Sequence, residues 1–227
     1  MQNPSIDLKR GAEGARYALV RRLAPAIWHQ IAGSFQPVTM MTAIMEKRLQ
    51  ATSPDLPALA KTSKETRQLA IAAARSNLDL IGWIAPEPEA LVPLGQGVQE
   101  GLHLVATELS FRGFTCVNKT EGVAVEVPLS HLRGVFVAAL LAVTDGAELP
   151  GTVLVKAHQE GVDAVVTIAL TDVDIDAKTV GSSNQDFRSN VAAYRKIDWS
   201  DVEAMAAMDG VALEHACTNV VLRLPIR

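Results

Sequence analysis

A repeating apolar stripe in the N-terminal part of the chain constrains its fold more than any other feature. One heptad position holds Ala24, Ile31, Val38 and Met45, and the other holds Val20, Ile27, Ser34 and Met41. A period of about 3.5 residues is typical of a helix packed in a bundle. The stripe therefore predicts one long helix over residues 10–51.

Prolines end this helix and also interrupt it. The segment Thr52-Ser-Pro-Asp-Leu-Pro57 holds two prolines and predicts the helix end. Pro25 and Pro37 lie inside the helix, where each removes a backbone donor and bends the axis. The alternative interpretation is two helices separated near Pro37.

Residues 58–84 are predicted to form a second helix with a weaker seam. Its two positions hold Leu59, Thr66, Ala73 and Leu80, and Ser63, Ala70, Asn77 and Ile84. The two helices form an antiparallel hairpin, which alone buries both seams poorly. We expect a homodimer that forms a four-helix bundle, because the following residues would otherwise face water: Ile27, Ile31, Val38 and Met45.

After the proline-rich acidic linker 85–90 the pattern changes to mixed helices and strands. Helices are predicted at 95–112, 129–144 and 198–208, and strands at 114–118, 123–127, 152–157, 164–170, 211–214 and 219–224. Residues 171–190 are polar, lack a period and are predicted to form a loop. The sequence thus predicts a hairpin domain, 1–85, and an α/β sandwich, 90–227, with one sheet covered on one face by helices.

Composition excludes several classes of protein. The net charge of −4 and pI near 5.7 argue against nucleic acid as the main partner, although a local basic patch stays possible. Cys116 and Cys217 lack metal-ligand neighbours and are expected to be small buried hydrophobes in a reducing compartment. The N-terminus lacks the pattern of a signal peptide, and the apolar run Val135–Val143 is too short to cross a bilayer, so a cytoplasmic protein without membrane contact is expected.

A single histidine stands out on the first helix. Relative to the apolar stripe, Arg22, His29 and Gln36 fall on the outward side, so the imidazole is expected in water. An exposed histidine on a bundle helix is well placed to accept a phosphoryl group. The alternative is that His29 is an ordinary polar surface residue. The other four histidines lack the short spacing of a zinc site: His103, His131, His158 and His215.

Two segments carry a resemblance to a known family. Leu132-Arg-Gly-Val-Phe-Val-Ala-Ala-Leu-Leu-Ala-Val-Thr-Asp-Gly146 is similar to the Leu-Arg-x-Val and Asn-Leu-Leu-x-Asn-Ala pattern of bacterial sensor histidine kinases. Asp201–Leu213 and the closing Val-Leu-Arg-Leu-Pro225 resemble the end of the same domain. The hairpin with His29 resembles the dimerisation and phosphotransfer domain, and residues 90–227 resemble the ATP-binding domain shared with gyrase and Hsp90-type ATPases.

The chain departs from this family in the nucleotide pocket. The two asparagine positions of the first motif are Ala138 and Ala142, and a methyl group cannot ligate magnesium. Asp172, Asp174 and Asp176 follow the strand ending near Leu170, yet no glycine appears before Gly181, and the glycine-rich phosphate loop is absent from 179–204. The resemblance therefore implies a degenerate ATPase domain that binds neither ATP nor a metal. The three aspartates are interpreted as a solvated loop rather than a calcium site, because an EF-hand's turn glycine and terminal glutamate are missing.

The resemblance also implies reduced chemistry around His29. Gln30 replaces the acidic residue that orients and deprotonates the imidazole, and Gly33 replaces the Asn or Thr of phosphatase-active members, leaving room beside the ring. Arg21 or Arg22 could steady the phosphoryl charge. A receiver domain would supply magnesium and the acidic pocket. Two functions stay open, a histidine phosphotransferase and a pseudokinase-like docking protein that transfers nothing; weak ATP binding by a divergent route is a third.

Overall fold

The computed structural model describes residues 4–84, 90–171 and 193–226. The chain divides into two compact units. One is helical and holds residues 24–85, and the other is an α/β unit that holds residues 1–23 together with 86–227. The division falls within the first helix, which contributes residues to both units.

Two long helices make up the N-terminal part. Helix α1 spans Pro4–Leu49 and helix α2 spans Leu56–Ile84. Pro25 and Pro37 both lie inside α1, so the single-helix prediction is confirmed and the alternative break near Pro37 is wrong. A proline removes one backbone hydrogen bond, and α1 continues through both positions.

Side-chain contacts within the helical unit define an antiparallel hairpin. Thr66 Oγ1 donates to Met45 Sδ over 3.6 Å, and Ser34 Oγ lies 3.2 Å from Asn77 Oδ1. The buried residues of α2 are Leu59, Thr62, Ala73 and Leu80. The predicted seam of Leu59, Ala73 and Leu80 is therefore buried. In the other predicted seam, Ser63 and Ile84 are exposed, and Thr62 is buried in place of Ser63.

The described residues of the α/β unit after residue 90 form three longer helices and two sheets. Its elements are β1 (Leu91–Pro93), α3 (Leu94–Phe111), β2 (Thr115–Lys119), β3 (Glu126–Pro128), α4 (Leu129–His131), a π-helical turn (Leu132–Phe136), α5 (Val137–Gly146), β4 (Thr152–Glu160), β5 (Asp163–Thr171), a 3₁₀ turn (Ala193–Arg195), α6 (Trp199–Asp209), β6 (Ala212–His215) and β7 (Asn219–Pro225). The larger sheet has the order β2-β4-β5-β7-β6, with β2 parallel to β4 and the other pairs antiparallel.

A second, two-stranded sheet was not expected from the sequence. Strand β1 pairs antiparallel with β3, with Val92 opposite Val127. The fold class, a helical hairpin followed by an α/β sandwich, is confirmed, while the expectation of a single sheet is wrong. A three-residue strand such as β1 is too short to show a period of two.

Helix α5 forms the centre of the α/β core. Every residue from Val137 to Asp145 is buried. On β7, Val220, Leu222 and Leu224 are buried while the residues between them are more exposed, so one face of the sheet packs inward. Helix α3 approaches the π-helical turn so closely that a Cβ added at Gly97 would lie 2.3 Å from Leu132 Cδ1.

The first turns of α1 belong to the α/β unit. Ala12, Ala15, Leu19 and Leu23 lie on one face of α1 and are buried. This differs from the predicted domain of residues 1–85, which placed the whole of α1 in the hairpin. The physical reason is the charged residues Arg16 and Arg22 on this part of α1, which bond to carboxylates of the α/β unit.

Two further expectations concern burial. The continuous helical segment Leu129–Gly146 is long and apolar enough to cross a membrane by length and composition alone, but 72% of it is buried inside the protein, as in a core helix. Cys116 is half-buried and burial raises the pKa of its thiol. Cys217 is exposed, so its predicted burial is wrong; it lies in the turn between β6 and β7, where the chain faces solvent.

Replacing Asp198 by alanine is expected to destabilise the protein by about 1 kcal/mol, because its side chain caps α6 by accepting from the Asp201 backbone N–H. The hydrogen bond from Ser200 holds the pKa of Asp198 below its ordinary value. A depressed carboxyl pKa stabilises the fold above the ordinary pKa and loses that effect as pH falls through the folded value. The difference between wild type and D198A, measured by urea unfolding, should therefore be full at pH 7 and shrink below about pH 4.

Candidate functional site

His29 lies on the exposed surface of α1, as its outward register predicts. It belongs to the helical unit. On an α-helix, where each residue turns about 100°, His29 is displaced from the face that packs on α2 and also from the preceding Trp28. An imidazole in this position is open to a partner molecule.

The residues that follow His29 leave space beside it. Gln30 is half-buried and offers an amide that can form hydrogen bonds but cannot serve as a base. Gly33 is exposed, and a Cβ built there would have no atom within 4 Å. The open position one turn after His29, predicted from the sequence, is thus present.

The prediction that Arg22 could stabilise a phosphoryl group at His29 is wrong, because Arg22 is buried. Its side chain is buried in the α/β unit, where it donates to both carboxylate oxygens of Glu108 and lies 3.4 Å from Asp145 Oδ1. The heptad stripe predicted an exposed Arg22, but it describes packing within the hairpin. Residue 22 lies in the part of α1 that packs in the α/β unit, where a different helix face is buried. Arg21 is exposed, and its guanidinium carbon lies 5.8 Å from the ring centroid of Tyr194.

The positions that hold nucleotide in the resembling family are part of the core here. Ala138 is fully buried and Ala142 is 3% exposed. Asp172, Asp174, Asp176 and the predicted loop 171–190 lie outside the described residues, apart from Thr171 at the end of β5. Within the described ranges, no three His, Cys, Asp or Glu side chains are grouped so that they could hold a metal ion.

The helical unit also has an exposed apolar stripe that the sequence reasoning missed. On α1 it contains Trp28, 71% exposed, and Phe35, 46% exposed. On α2 it contains Ile71, Leu78 and Ile81. Trp28 and Phe35 are seven residues apart, and this heptad spacing was the signal that could have identified a second seam.

The apolar residues of α1 that were expected to face a second copy of the chain are already wholly or partly buried in a single copy. Ile27 is buried, and Ile31, Val38 and Met45 are each half-buried. The reason given for a homodimer is therefore wrong, since these residues do not form a strip facing water. The apolar surface that faces water is instead the exposed stripe, which consists of Trp28, Phe35, Ile71, Leu78 and Ile81.

Comparison with known proteins gives structural similarity alone. No family model matches the chain. No curated protein matches it either. Among solved structures, the histidine kinase AdeS of Acinetobacter baumannii is 11% identical, with a TM-score of 0.45, covering 84% of this chain and 98% of that one.

Two other structures extend over more of the chain. A bacterial phosphotransferase is 13% identical with a TM-score of 0.39, and covers 99% of this chain and 98% of its own. A histidine kinase from Burkholderia phymatum is 15% identical with a TM-score of 0.41, and covers 92% and 97%.

Replacing Gly33 by alanine is expected to stabilise the protein by about 0.5–1 kcal/mol, because alanine favours a helix and meets no neighbouring atom here. Thermal unfolding of G33A measures this. G97A is the matched control and should lower the melting temperature, since its Cβ would clash with Leu132. A fall in the melting temperature of G33A would contradict the open space beside His29.

Proposed function

We propose that this chain is a histidine phosphotransferase of a bacterial two-component phosphorelay, which accepts and donates a phosphoryl group at His29 without binding ATP. The observation that carries the proposal is the exposed imidazole on a helix of a hairpin, with the open position of Gly33 one turn further on. The resemblance of residues 132–146 to the histidine-kinase motif supports the same assignment.

The chemistry required of His29 is nucleophilic attack. One ring nitrogen of the neutral imidazole attacks the phosphorus of an aspartyl phosphate on a receiver domain. The P–N bond forms as the P–O bond to the aspartate breaks, the carboxylate leaves, and the other ring nitrogen gives its proton to water. The receiver domain supplies the magnesium, so this chain needs no cofactor of its own.

The core of the α/β unit supports transfer without ATP. Alanines at 138 and 142 fill positions that would need oxygen ligands to hold a magnesium-bound phosphate. Gln30 cannot deprotonate the imidazole as an acidic neighbour would. Both changes oppose autophosphorylation, whereas transfer from a receiver needs neither group.

The exposed stripe supports assembly through the hairpin. Apolar surface of this kind on two long helices is buried when a second copy completes a four-helix bundle. His29 lies off the stripe on α1, so a bundle formed through Trp28 and Phe35 leaves the imidazole open to a receiver. The protein is proposed to act as a cytoplasmic homodimer whose partner is a receiver domain, with no role for nucleic acid or membrane.

Transfer to His29 is tested with receiver domains from the same genome, phosphorylated with a labelled phosphoryl group in the presence of magnesium. The wild type should take up a label that is acid-labile and alkali-stable, as a phosphoramidate is. H29A and H29Q should take up none, because neither side chain is a nucleophile. Both variants should keep the wild-type melting temperature, since His29 is exposed.

The same experiment separates the two functions. Label retained by H29A and H29Q contradicts phosphotransfer at His29. Binding of a receiver by the wild type without any transfer favours the alternative, a pseudokinase-like docking protein.

The homodimer is tested by placing a charge in the exposed stripe. F35E and L78E should each convert the dimer to a 24.3 kDa monomer in light scattering, because a carboxylate would be buried without a partner. M40E is the matched control: Met40 is 59% exposed and lies off the stripe, so this variant should remain dimeric. A wild type that is monomeric at micromolar concentration would contradict the assembly.

Nucleotide binding is tested by thermal unfolding with ATP and magnesium. Anything that binds the folded state raises its melting temperature. We expect no shift, because Ala138 and Ala142 provide no ligand for the metal–phosphate complex. A concentration-dependent rise would instead support the divergent route to weak ATP binding.

A further inference from the structure

The first turns of α1 are held on the α/β unit by a small apolar face and by ion pairs. We call residues 6–23 the strap. Its buried apolar face consists of two alanines and two leucines, Ala12, Ala15, Leu19 and Leu23. Alanine buries little surface, so this face contributes less than a helix face of large side chains would.

Four charged side chains close the strap at its C-terminal end, and we call them the latch: Arg22, Glu108, Arg112 and Asp145. Arg22 Nη1 donates to Glu108 Oε2 over 2.5 Å, and Arg112 Nη1 lies 2.8 Å from Asp145 Oδ1. Their side chains are between 2% and 27% exposed. Two cations and two carboxylates balance in charge, so removal of one leaves an uncompensated buried charge.

The latch is strong in charge pairing and incomplete in hydrogen bonding. Burial lowers the pKa of Arg22, but the hydrogen bonds and charge of Glu108 and the charge of Asp145 outweigh it, and the pKa lies above the ordinary value. Nε of Arg22 and Nε of Arg112 are buried without a hydrogen-bond partner among the described residues. A buried donor without a partner costs free energy in the closed arrangement.

Asp145 connects the latch to the segment that leads into α6. The backbone N–H of Ile197 donates to Asp145 Oδ2 over 3.2 Å, while Oδ1 of the same carboxylate faces Arg22 and Arg112. Tyr194 in the same segment lies under Arg21 of the strap. The strap and residues 194–197 therefore share both an acceptor and a cation–π contact.

We propose that the strap and the segment 194–197 form one conformational switch, which opens and closes as a unit while the sheet of the α/β unit stays folded. Local opening of this kind occurs where few large apolar side chains are buried. The strap buries two leucines, and the segment 194–197 buries Ile197. The switch couples the chain that precedes α6 to the N-terminal end of α1, the helix on which His29 lies, and it does not depend on phosphotransfer.

Hydrogen exchange of the full-length protein tests the switch. R22M removes the latch cation while keeping an unbranched side chain, and it should speed exchange at least tenfold both in peptides covering 8–20 and at the Ile197 amide. Peptides of β5 should stay within twofold of the wild type. R223M is the matched control, because it breaks the exposed pair of Arg223 with Glu160, 2.6 Å apart, and should change neither segment.

Three results would overturn the proposal. They are unchanged exchange in the strap, faster exchange in the strap alone, and an equal rise in every peptide including β5. Should R22M fail to fold, Y194A serves instead, since Tyr194 is 73% exposed and its loss removes the contact with Arg21. Y194A should speed exchange in both segments by about threefold, and no change in the strap would equally count against the switch.

Discussion

Complete burial of α5 is the constraint on which the rest of the α/β unit depends. The helix lies between the other helices and the sheet, and α3 comes close enough to its leading turns only because Gly97 and Gly101 lack side chains. A polar side chain in such a position costs about 1–3 kcal/mol when it lacks a partner. Alanine at 138 and 142 avoids this cost because its side chain has no polar atom. The same two residues fill the core with methyl groups and present no oxygen atom that could ligate a magnesium ion.

The C-terminal end of this buried helix meets charged side chains rather than apolar surface. Asp145, in the last turn of α5, pairs with Arg22 of α1 and with Arg112 just after α3, and it accepts a hydrogen bond from the segment before α6. One carboxylate thus joins parts of the chain that are far apart in sequence. Removing any partner would leave a charge in a place from which water is excluded. This explains why the first turns of α1 associate with the α/β unit and why Arg22 is unavailable to His29.

In the proposed function, the helical unit presents His29 and the exposed apolar stripe on different faces. One face of α1 packs on α2, a second presents Trp28 and Phe35, and His29 stands on neither. A reactive imidazole needs to remain open to a partner, whereas apolar side chains are stabilised by being covered. A long helix can keep these demands apart because neighbouring residues point about 100° away from each other.

The sequence by itself determined the helical hairpin followed by mixed helices and strands, the exposure of His29 and the absence of oxygen ligands at 138 and 142. These follow from local periodicity and residue chemistry. Only the tertiary structure decided that Arg22 is buried, that α1 is shared between two units, and that Trp28 and Phe35 form the exposed seam. The latch brings Arg22 next to Glu108, Arg112 and Asp145, which are more than eighty residues away in sequence. A local sequence pattern contains no information about contacts at that separation. The heptad pattern likewise fits two adjacent stripes on one helix, and the packing of α2 alone selects which of them is covered.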